Sequence, residues 1–187
     1  LEVCDDDNDG FSSFTLSLKD LEAVGVQLGM VVTYHETQSD ADNGINVLPI
    51  PYNNIVPNVQ TVYIRVESGT TGCYDTVELT LLVNPLPDTI AITPYELCDD
   101  NNAGDEIEMF DLTTKDAEIA DGQSVTVSYY ETLADAQGLV NSLASPYSNT
   151  SNPQTIFYAS VSTTTGCIAT GSFELVVNQL PMFVVPN

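Results

Sequence analysis

Several short segments of the chain alternate apolar and polar side chains, or are rich in β-branched and aromatic residues, and both patterns predict β-strands. These segments are Thr61–Glu67, Val77–Leu81, Val125–Tyr129 and Thr155–Val161. Residues 17–23 and 114–120 instead have the composition of one or two helical turns. We therefore expect an all-β chain with little helix.

The pattern occurs twice along the chain. When the sequence is aligned with itself at an offset of about half its length, the two halves match. Matched pairs include residues 1–10 with 96–104, 33–37 with 128–132, 51–52 with 146–147, 60–63 with 154–157, and 70–73 with 164–167. The sequence thus predicts two tandem modules, residues 1–88 and 89–187.

A short lead-in segment, residues 86–92, connects the first module to the second. Residues 180–185 repeat this lead-in after the second module, whereas the first module starts without one. We expect the end of the chain, up to residue 187, to run into the lead-in strand of a next repeat. We also expect the natural protein to continue on both sides as a tandem array.

The net charge is -24, from 27 acidic residues against 3 basic ones. Nucleic-acid binding needs lysine and arginine to displace the counterions of phosphates, so this composition excludes it. Anionic membrane surfaces are repelled for the same reason, and no apolar run is long enough to insert into a bilayer. Acidic surfaces attract cations instead.

The four cysteines form two equally spaced pairs, Cys4 with Cys73 and Cys98 with Cys167. Zinc is not expected, since there is no Cys-x-x-Cys motif and His35 is the only histidine. We predict one disulfide inside each module and an oxidising, extracellular compartment.

About seven short strands in roughly 90 residues, with two distant cysteines, are typical of an immunoglobulin-like β-sandwich. The chain has no tryptophan, which true immunoglobulin domains carry in the core, so the prediction concerns the architecture alone. The predicted fold is therefore two tandem immunoglobulin-like sandwich modules.

One segment has the opening of a calcium-binding loop. Asp5, Asp7 and Asp9 alternate before Gly10, as in D-x-[DN]-x-[DN]-G, so their carboxylates can converge on a hard cation. The loop is not an EF-hand, because its twelfth position is Leu16 instead of glutamate. The alternative is an Asx-rich turn whose side chains cap nearby backbone groups.

The second module keeps Asp99 and Asn101 as candidate metal ligands, but Ala103 stands where the first module has Asp9. Its Ca²⁺ site is weaker or empty unless other acids compensate. The candidates for that compensation are Asp105, Glu106 and Glu108.

Other acids recur in both modules, and they are either distant calcium ligands or solvated acids that flank a turn. They are Glu36 and Asp40, with Glu131 and Asp135. His35 is assigned no role beyond packing at the surface. We expect no enzymatic activity, because no nucleophile-elbow sequence accompanies the single histidine and a duplicated module does not suggest one active site.

The module resembles the repeats of very large cell-surface adhesins of gliding flavobacteria, of the SprB type. The likeness lies in Leu-x-x-Cys-Asp-Asp-x-Asn-x-Gly, Tyr-x-Glu-Thr-x-x-Asp-Ala, Pro-Tyr-x-Asn, Thr-Gly-Cys and Val-Asn-x-Leu-Pro. It implies export through the type 9 secretion system, a place at the cell surface, and a role in adhesion or gliding motility.

The function expected on this basis is a calcium-stabilised stalk repeat, whose partners are the neighbouring repeats of the same chain. The alternative is a module that binds surface polysaccharide or another cell-surface protein, either by itself or as an accessory to a secreted polysaccharide-degrading enzyme. Exposed aromatic side chains would carry such binding. The candidates are Tyr34, Tyr52, Tyr63, Tyr74, Tyr129, Tyr147 and Tyr158.

Overall fold

A computed structural model of the protein describes residues 1–181. The chain divides into two compact units, Leu1–Leu86 and a second that begins at Pro87. Residues 182–185, which the sequence assigns to a second lead-in, lie outside the described residues, as does the rest of the chain up to residue 187.

The first module contains six strands and two short helices. They are β1 (Glu2–Cys4), β2 (Ser13–Phe14), α1 (Asp20–Val24), β3 (Met30–His35), α2 (Gln38–Asn43), β4 (Tyr52–Asn53), β5 (Val59–Ser68) and β6 (Tyr74–Asn84). A 3-10 turn, Leu16–Lys19, precedes α1. The main sheet has the order β1-β6-β5-β3, in which β1 is parallel to β6 and the other pairs are antiparallel. Strands β2 and β4 form a separate ribbon.

The second module repeats this order. Its elements are β7 (Tyr95–Cys98), β8 (Met109–Phe110), α3 (Asp116–Ala120), β9 (Val125–Tyr130), α4 (Leu133–Gly138), β10 (Tyr147–Ser148), β11 (Gln154–Ser162) and β12 (Ile168–Asn178). The main sheet has the order β7-β12-β11-β9, and β8 pairs with β10 in the ribbon.

The core of each module lies between the main sheet and the ribbon. Between Leu79 and Val83 every second side chain of β6 is buried, namely Leu79, Leu81 and Val83, and Phe14 and Tyr52 of the ribbon pack in the same cluster. The second module has Phe173, Leu175 and Val177 in β12 at the same positions. Burying one side chain of this size contributes about 2 kcal/mol, so the period-two pattern fixes which face of the sheet points inward.

The four predicted strands and the two predicted helical turns are all present. Helices α2 and α4 were not predicted, because the acidic turn that contains them has no apolar periodicity. The chain is mostly β with two sheet-based domains, but an immunoglobulin-like sandwich is not confirmed. Each module instead combines one four-stranded sheet with a two-stranded ribbon and short helices.

The predicted disulfides are wrong. Cys4 and Cys167 are disulfide-bonded, whereas Cys73 and Cys98 are free and exposed. The two bonded cysteines belong to different modules, so the disulfide is inter-domain and not one per module.

The register of the sheet explains why neither module closes its own disulfide. Cys4 lies opposite Asn84 at the last residue of β6, whereas Cys73 immediately precedes the first residue of that strand. A strand of this length separates the two cysteines by about 35 Å. A disulfide requires Cα atoms within about 7 Å. Cys98 and Cys167 are held apart by β12 in the same way, since Cys98 pairs with Asn178.

Candidate functional site

The acidic loop of the first module is folded around Asp5, which is buried directly after β1. Its Oδ1 accepts the N–H of Asn8 at 2.9 Å and its Oδ2 accepts the N–H of Gly10 at 2.8 Å. Asp9 accepts the N–H of Phe11 at 2.7 Å. The Asx-turn alternative therefore describes the hydrogen bonding of this loop.

Gly10 and Asn54 lock the loop onto the rest of the module. Gly10 has a φ of +81°, and a Cβ there would lie 2.8 Å from Cβ of Pro57, so only glycine fits. The buried Asn54 donates to the carbonyls of Gly10 and Val56 at 2.9 and 2.8 Å and accepts the N–H of Ser12 at 2.7 Å.

The carboxylates of Asp5, Asp7 and Asp9 converge. One oxygen from each lies within 4.8 Å of the other two. Calcium binds oxygen at 2.3–2.6 Å, so two ligands on opposite sides of one ion are separated by about 5 Å. The arrangement is thus compact enough for the three predicted ligands to share one cation, with Asp5 as the buried member.

The pKa values of the loop reflect its crowding. Burial opposes ionisation of Asp5, but the N–H groups of Gly10, Asp7 and Asn8 together hold its pKa below the usual range. Burial, followed by the neighbouring carboxylate of Asp9, raises the pKa of Asp7. A bound cation would relieve this repulsion.

The second acidic loop is held differently. Asp99 is buried, and its Oδ2 accepts the N–H of Gly104 at 2.6 Å, but its Oδ1 has no hydrogen-bond partner in the described part of the chain. Glu108, also buried, accepts the N–H groups of Asp100 and Asn101 at 3.0 and 2.9 Å. Glu108 therefore accepts backbone N–H groups of its loop, as Asp5 Oδ1 does in the first module, although its donors include Asp100 and not the counterpart of Asn8.

Asp105 occupies the structural place of Asp9, because it accepts the N–H of Ile107 at 2.9 Å as Asp9 accepts that of Phe11. Asn149 repeats the role of Asn54 by donating to the carbonyl of Glu106 at 2.9 Å. Within residues 1–181, the group of three converging acidic ligands is found in the first loop and no such group is found in the second.

Asp40 and Asp135 lie in the first turns of α2 and α4, next to the N-cap residues Thr37 and Thr132. Thr37 accepts the N–H of Asp40 at 3.1 Å, and its hydroxyl donates back to the Asp40 carboxylate at 2.7 Å. Asn46 donates to the same carboxylate at 2.8 Å. Thr132, Asp135 and Asn141 repeat these contacts in the second module.

The other two recurring acids contact tyrosines of the ribbon strands. Glu36 accepts from the Tyr52 hydroxyl at 3.3 Å, and Glu131 accepts from that of Tyr147 at 2.9 Å. All four recurring acids are thus engaged within their own modules, away from the acidic loops.

His35 is fully buried, so the expected position at the surface is wrong. Its Nδ1 lies 2.6 Å from the carbonyl oxygen of Ile45 and must donate to it, which leaves Nε2 to accept from the Thr33 hydroxyl at 2.9 Å. Both ring nitrogens are therefore used by the fold.

Four of the seven tyrosines proposed for ligand binding cannot present a ring, because they are buried. These are Tyr34, Tyr52, Tyr129 and Tyr158. Tyr74 is 47% exposed, but the Arg65 guanidinium covers its ring, with Cζ 3.5 Å from the ring centroid.

Asn54, Asn149, Gln60 and Gln154 are site residues that sequence reasoning missed. Gln60 Oε1 accepts the N–H of Ile55 at 2.7 Å, and its Nε2 donates to the Tyr52 hydroxyl at 2.7 Å. The available signal was that the Pro-Tyr-x-Asn and Gln-Thr motifs occur in both modules. Amide side chains that hydrogen-bond to a loop are expected in every copy of that loop.

The cysteines mark two ends of each module. The chain leaves the first module after Asn84, so the end that carries Cys4 is the exit end, and Cys98 beside Asn178 marks the exit end of the second. Cys73 and Cys167, at the start of β6 and β12, mark the opposite ends.

In the second module the chain enters at the end that carries Cys167. Asp88 donates its N–H to Gln123 Oε1 at 2.8 Å, and Gln123 Nε2 donates to the Asp88 carbonyl at 3.0 Å. The next residue, Ser124, accepts from the N–H of Thr163 at 3.0 Å, in the turn that leads to Cys167. We call this the entrance end, and Cys73 marks it in the first module.

Among the described residues there is no helix long and apolar enough to cross a membrane. A disulfide is compatible with an oxidising, extracellular compartment. Comparison with curated proteins gave no match. The model of the FIDD family, described as the Flavobacterium inter-domain disulphide bond domain, matches residues 1–87 and again residues 94–181. Together these matches cover nearly the whole chain, and the chain therefore belongs to the Flavobacterium inter-domain disulphide bond domain family, in two tandem copies.

Proposed function

We propose that the chain is a load-bearing structural segment of an extracellular, multidomain surface protein, in which inter-domain disulfides join successive modules. The observation that carries this proposal is the assignment of the bonded cysteines, Cys4 and Cys167, to different modules of a tandem pair. A domain that only had to be stable on its own would gain more from a disulfide between two of its own cysteines.

The mechanical consequence follows from the connectivity. A bond between Cys4 and Cys167 closes a loop that contains most of both modules and leaves β12 outside it. Tension applied at the two ends of the chain passes through this bond, and the residues between the two cysteines carry no load. In the chain-entropy model, closing about 160 residues contributes about 5 kcal/mol to stability, shared by the two modules.

The proposed setting is the surface of a flavobacterium, where the segment would act as a stalk in an adhesin used for attachment or gliding and exported by the type 9 secretion system. Membership of a Flavobacterium domain family and the adhesin-like motifs support this setting. The net charge of -24 would keep neighbouring stalks apart and the protein soluble.

We further propose a structural role without catalysis. Two of the recurring acids accept hydrogen bonds from N-cap threonines and the other two accept them from tyrosines, and both nitrogens of the one histidine are hydrogen-bonded within the module. These engagements support a framework in which the polar groups maintain the fold.

We also propose that Ca²⁺ binds Asp5, Asp7 and Asp9 and stiffens the exit end of the first module. The convergence of their oxygens and the raised pKa of Asp7 support such a site. In the second module, Oδ1 of Asp99, which has no hydrogen-bond partner among residues 1–181, would be a ligand, with Asn101 as the second predicted one. At a Kd near 10⁻⁴ M, millimolar calcium would add about 1.4 kcal/mol per site.

The experiment is to pull single chains from both ends by atomic force microscopy, first oxidised and then with a reductant. We expect the oxidised chain to extend by no more than the residues outside the bond, 1–3 and 168–187, and reduction to release about 540 Å of additional contour length. Unfolding of two separate modules in the oxidised chain would contradict the proposal. A Cys167→Ser variant, which should unfold without reductant, is the control.

A further inference from the structure

One residue of the second acidic loop, Glu106, has the left-handed backbone conformation that a glycine has in the first loop. Its φ is +56°, and that of Gly10 is +81°. The two positions correspond in space, because the carbonyl of Glu106 accepts a hydrogen bond from Asn149 as the carbonyl of Gly10 does from Asn54, both at 2.9 Å. A residue with a Cβ is strained in this conformation. Strained residues persist where the surrounding contacts hold them, and such positions are often functional.

The carboxylate of Glu106 makes two hydrogen bonds that a glycine cannot make. Its Oε1 accepts from Nε2 of Gln179 at 2.8 Å, and its Oε2 accepts from Nδ2 of Asn152 at 3.2 Å. The bond from Gln179, followed by that from Asn152, holds the pKa of Glu106 below its usual range, so the carboxylate is ionised at neutral pH. Hydrogen bonds to an ionised acceptor are stronger than those between neutral groups.

Both donors are located at the end of β12. Gln179 is the first residue after this strand, which ends at Asn178. Asn152 is bound to the strand itself, since its Oδ1 accepts the N–H of Val177 and its Nδ2 donates to the carbonyl of Val177, both at 2.8 Å. Glu106 therefore connects the acidic loop with the point at which the chain leaves the sheet.

The first module joins the same two places through the backbone. The N–H of Asn58 donates to the carbonyl of Gly10 at 2.8 Å, and the carbonyl of Asn58 accepts the N–H of Val83 in β6 at 2.8 Å. Pro85 stands directly after this strand, where the second module has Gln179. Proline has no N–H to donate, but its ring fixes the backbone φ. Backbone bonds and a proline thus replace, in the first module, the side-chain connection of the second.

We propose that Glu106 is a positioning residue that fixes the direction in which the chain leaves the second module. Its carboxylate, Asn152 and Gln179 together form what we call the exit brace. The strain at Glu106 accompanies the placing of a carboxylate within reach of Gln179, and the brace does with side chains what Pro85 does with its ring. This role goes beyond the proposed load-bearing function, because no member of the brace takes part in the disulfide.

A brace behaves differently from a contact that only stabilises the module. Glu106→Ala loses the carboxylate but keeps a Cβ and its strain, so the melting temperature of the second module and the order of the backbone at Gln179 should both fall. Glu106→Gly loses the carboxylate and the strain together. It should melt several degrees above Glu106→Ala, although Gln179 is as mobile as in that variant.

The experiment combines ¹⁵N relaxation with thermal unfolding of the full chain, followed on the NMR signals of the second module. We expect the order parameter of the Gln179 N–H to fall from about 0.85 in the parent to below about 0.6 in both glutamate variants. Gln179→Ala should loosen residues 179 and 180 to the same extent. Gln137→Ala is the matched control and should leave them unchanged, because Gln137 is exposed on α4, outside the brace.

Two results would overturn the proposal. If Gln179 keeps its order in both glutamate variants, the direction of the chain is fixed without the carboxylate. If Glu106→Gly melts no higher than Glu106→Ala, the backbone at this position carries no strain. Neither result depends on the bond between Cys4 and Cys167, so the exit brace and the load-bearing function are tested separately.

Discussion

The ring of Tyr158 lies directly over the backbone of Gly171, so closely that a Cβ atom at residue 171 would overlap the hydroxyl oxygen and the ring. The two residues are paired across β11 and β12. In the first module the same pair is Ile64 and Val77. At these facing positions the first module has two side chains of medium size, whereas the second has one large side chain opposite a glycine. The two residues of each pair are therefore complementary in volume.

This complementarity predicts a strong coupling between the two positions. Gly171→Ala should destabilise the second module by about 2 kcal/mol, because the added methyl group overpacks the site. Tyr158→Ile alone should also cost about 2 kcal/mol through the cavity that it leaves. The double variant, which reproduces the packing of the first module, should cost clearly less than the sum. Urea-induced unfolding measures all three, and additive costs would show that the ring does not occupy this space.

The capping threonines give a matched pair of tests. Thr37→Ala and Thr132→Ala each remove the hydroxyl that caps α2 or α4 and should each cost about 1 kcal/mol. Equal effects are expected, because the two caps have the same geometry. Thr37→Ser, which keeps the hydroxyl, is the control. A Thr37→Ala variant as stable as the parent would contradict the capping role.

The Thr37 cap also makes stability depend on pH. The Thr37 and Asn46 hydrogen bonds hold the pKa of Asp40 below its usual range. Since the folded pKa is below the unfolded one, Asp40 contributes stability above about pH 4, and that contribution is lost as the pH falls through the folded pKa. In Thr37→Ala, the pKa of Asp40 should rise toward its usual value and the acid dependence should weaken. Carboxyl NMR titration measures this pKa.

Most of the secondary structure could be predicted because it depends on local pattern. The alternation in Val77–Leu81 specifies a half-buried strand, and the repeat transfers that assignment to the other module. Helices α2 and α4 were missed although Thr37 and Asp40 form a Thr-x-x-Asp capping pair, since the segment offers no apolar stripe for a helix pattern.

The disulfide could not be predicted from spacing, because equal spacing follows from duplication whichever way the cysteines pair. The pairing depends on strand direction. Only the parallel register of β1 with β6 puts Cys4 beside Asn84 and far from Cys73. The convergence of Asp5, Asp7 and Asp9, by contrast, follows from local loop sequence and could be read directly.

In the first module, Arg65 occupies a position that belongs to a small apolar cluster in the second module. Its Nη1 donates to the carbonyls of Ala41 and Asp42 at 2.8 and 3.1 Å, and its Nη2 lies 2.7 Å from Glu67. The second module has Ala159 at this position, in a small apolar cluster with Tyr130.

Removing the Arg65 guanidinium should take the side-chain donor away from the buried Ala41 carbonyl, leaving it only the N–H of Gly44 at 3.3 Å, and from the more exposed Asp42 carbonyl. We expect Arg65→Ala to destabilise the first module by about 3 kcal/mol. Arg65→Lys should recover less than half of this loss, because a single ammonium cannot reach both carbonyls and stack on Tyr74. The double variant Arg65→Ala with Tyr74→Ile, which copies the second module, should be more stable than Arg65→Ala alone. Thermal unfolding of the four proteins decides this, and full recovery by lysine would contradict it.

The two acidic loops should respond oppositely to the loss of their buried charge. Both oxygens of Asp5 accept N–H groups, whereas Asp99 uses only Oδ2 and buries Oδ1 without a partner in the described residues. Asp5→Asn puts an amide nitrogen against an N–H donor, so in chelator it should lower the melting temperature of the first module. Asp99→Asn keeps the bond from Gly104 and removes an uncompensated buried charge, so the second module should be unchanged or more stable.

Calcium should reverse the result at Asp99. If the ion uses Oδ1, the wild-type second module gains melting temperature in millimolar calcium and Asp99→Asn does not, because an amide nitrogen is not a calcium ligand. Asp7→Asn is the matched test in the first loop. It should weaken calcium binding measured by calorimetry, and it should flatten the fall in affinity that we expect as the pH drops through the raised pKa of Asp7. An Asp99→Asn variant that is as destabilised in chelator as Asp5→Asn would show that Oδ1 has a partner in solution, and the second loop would then offer no vacant position for an ion.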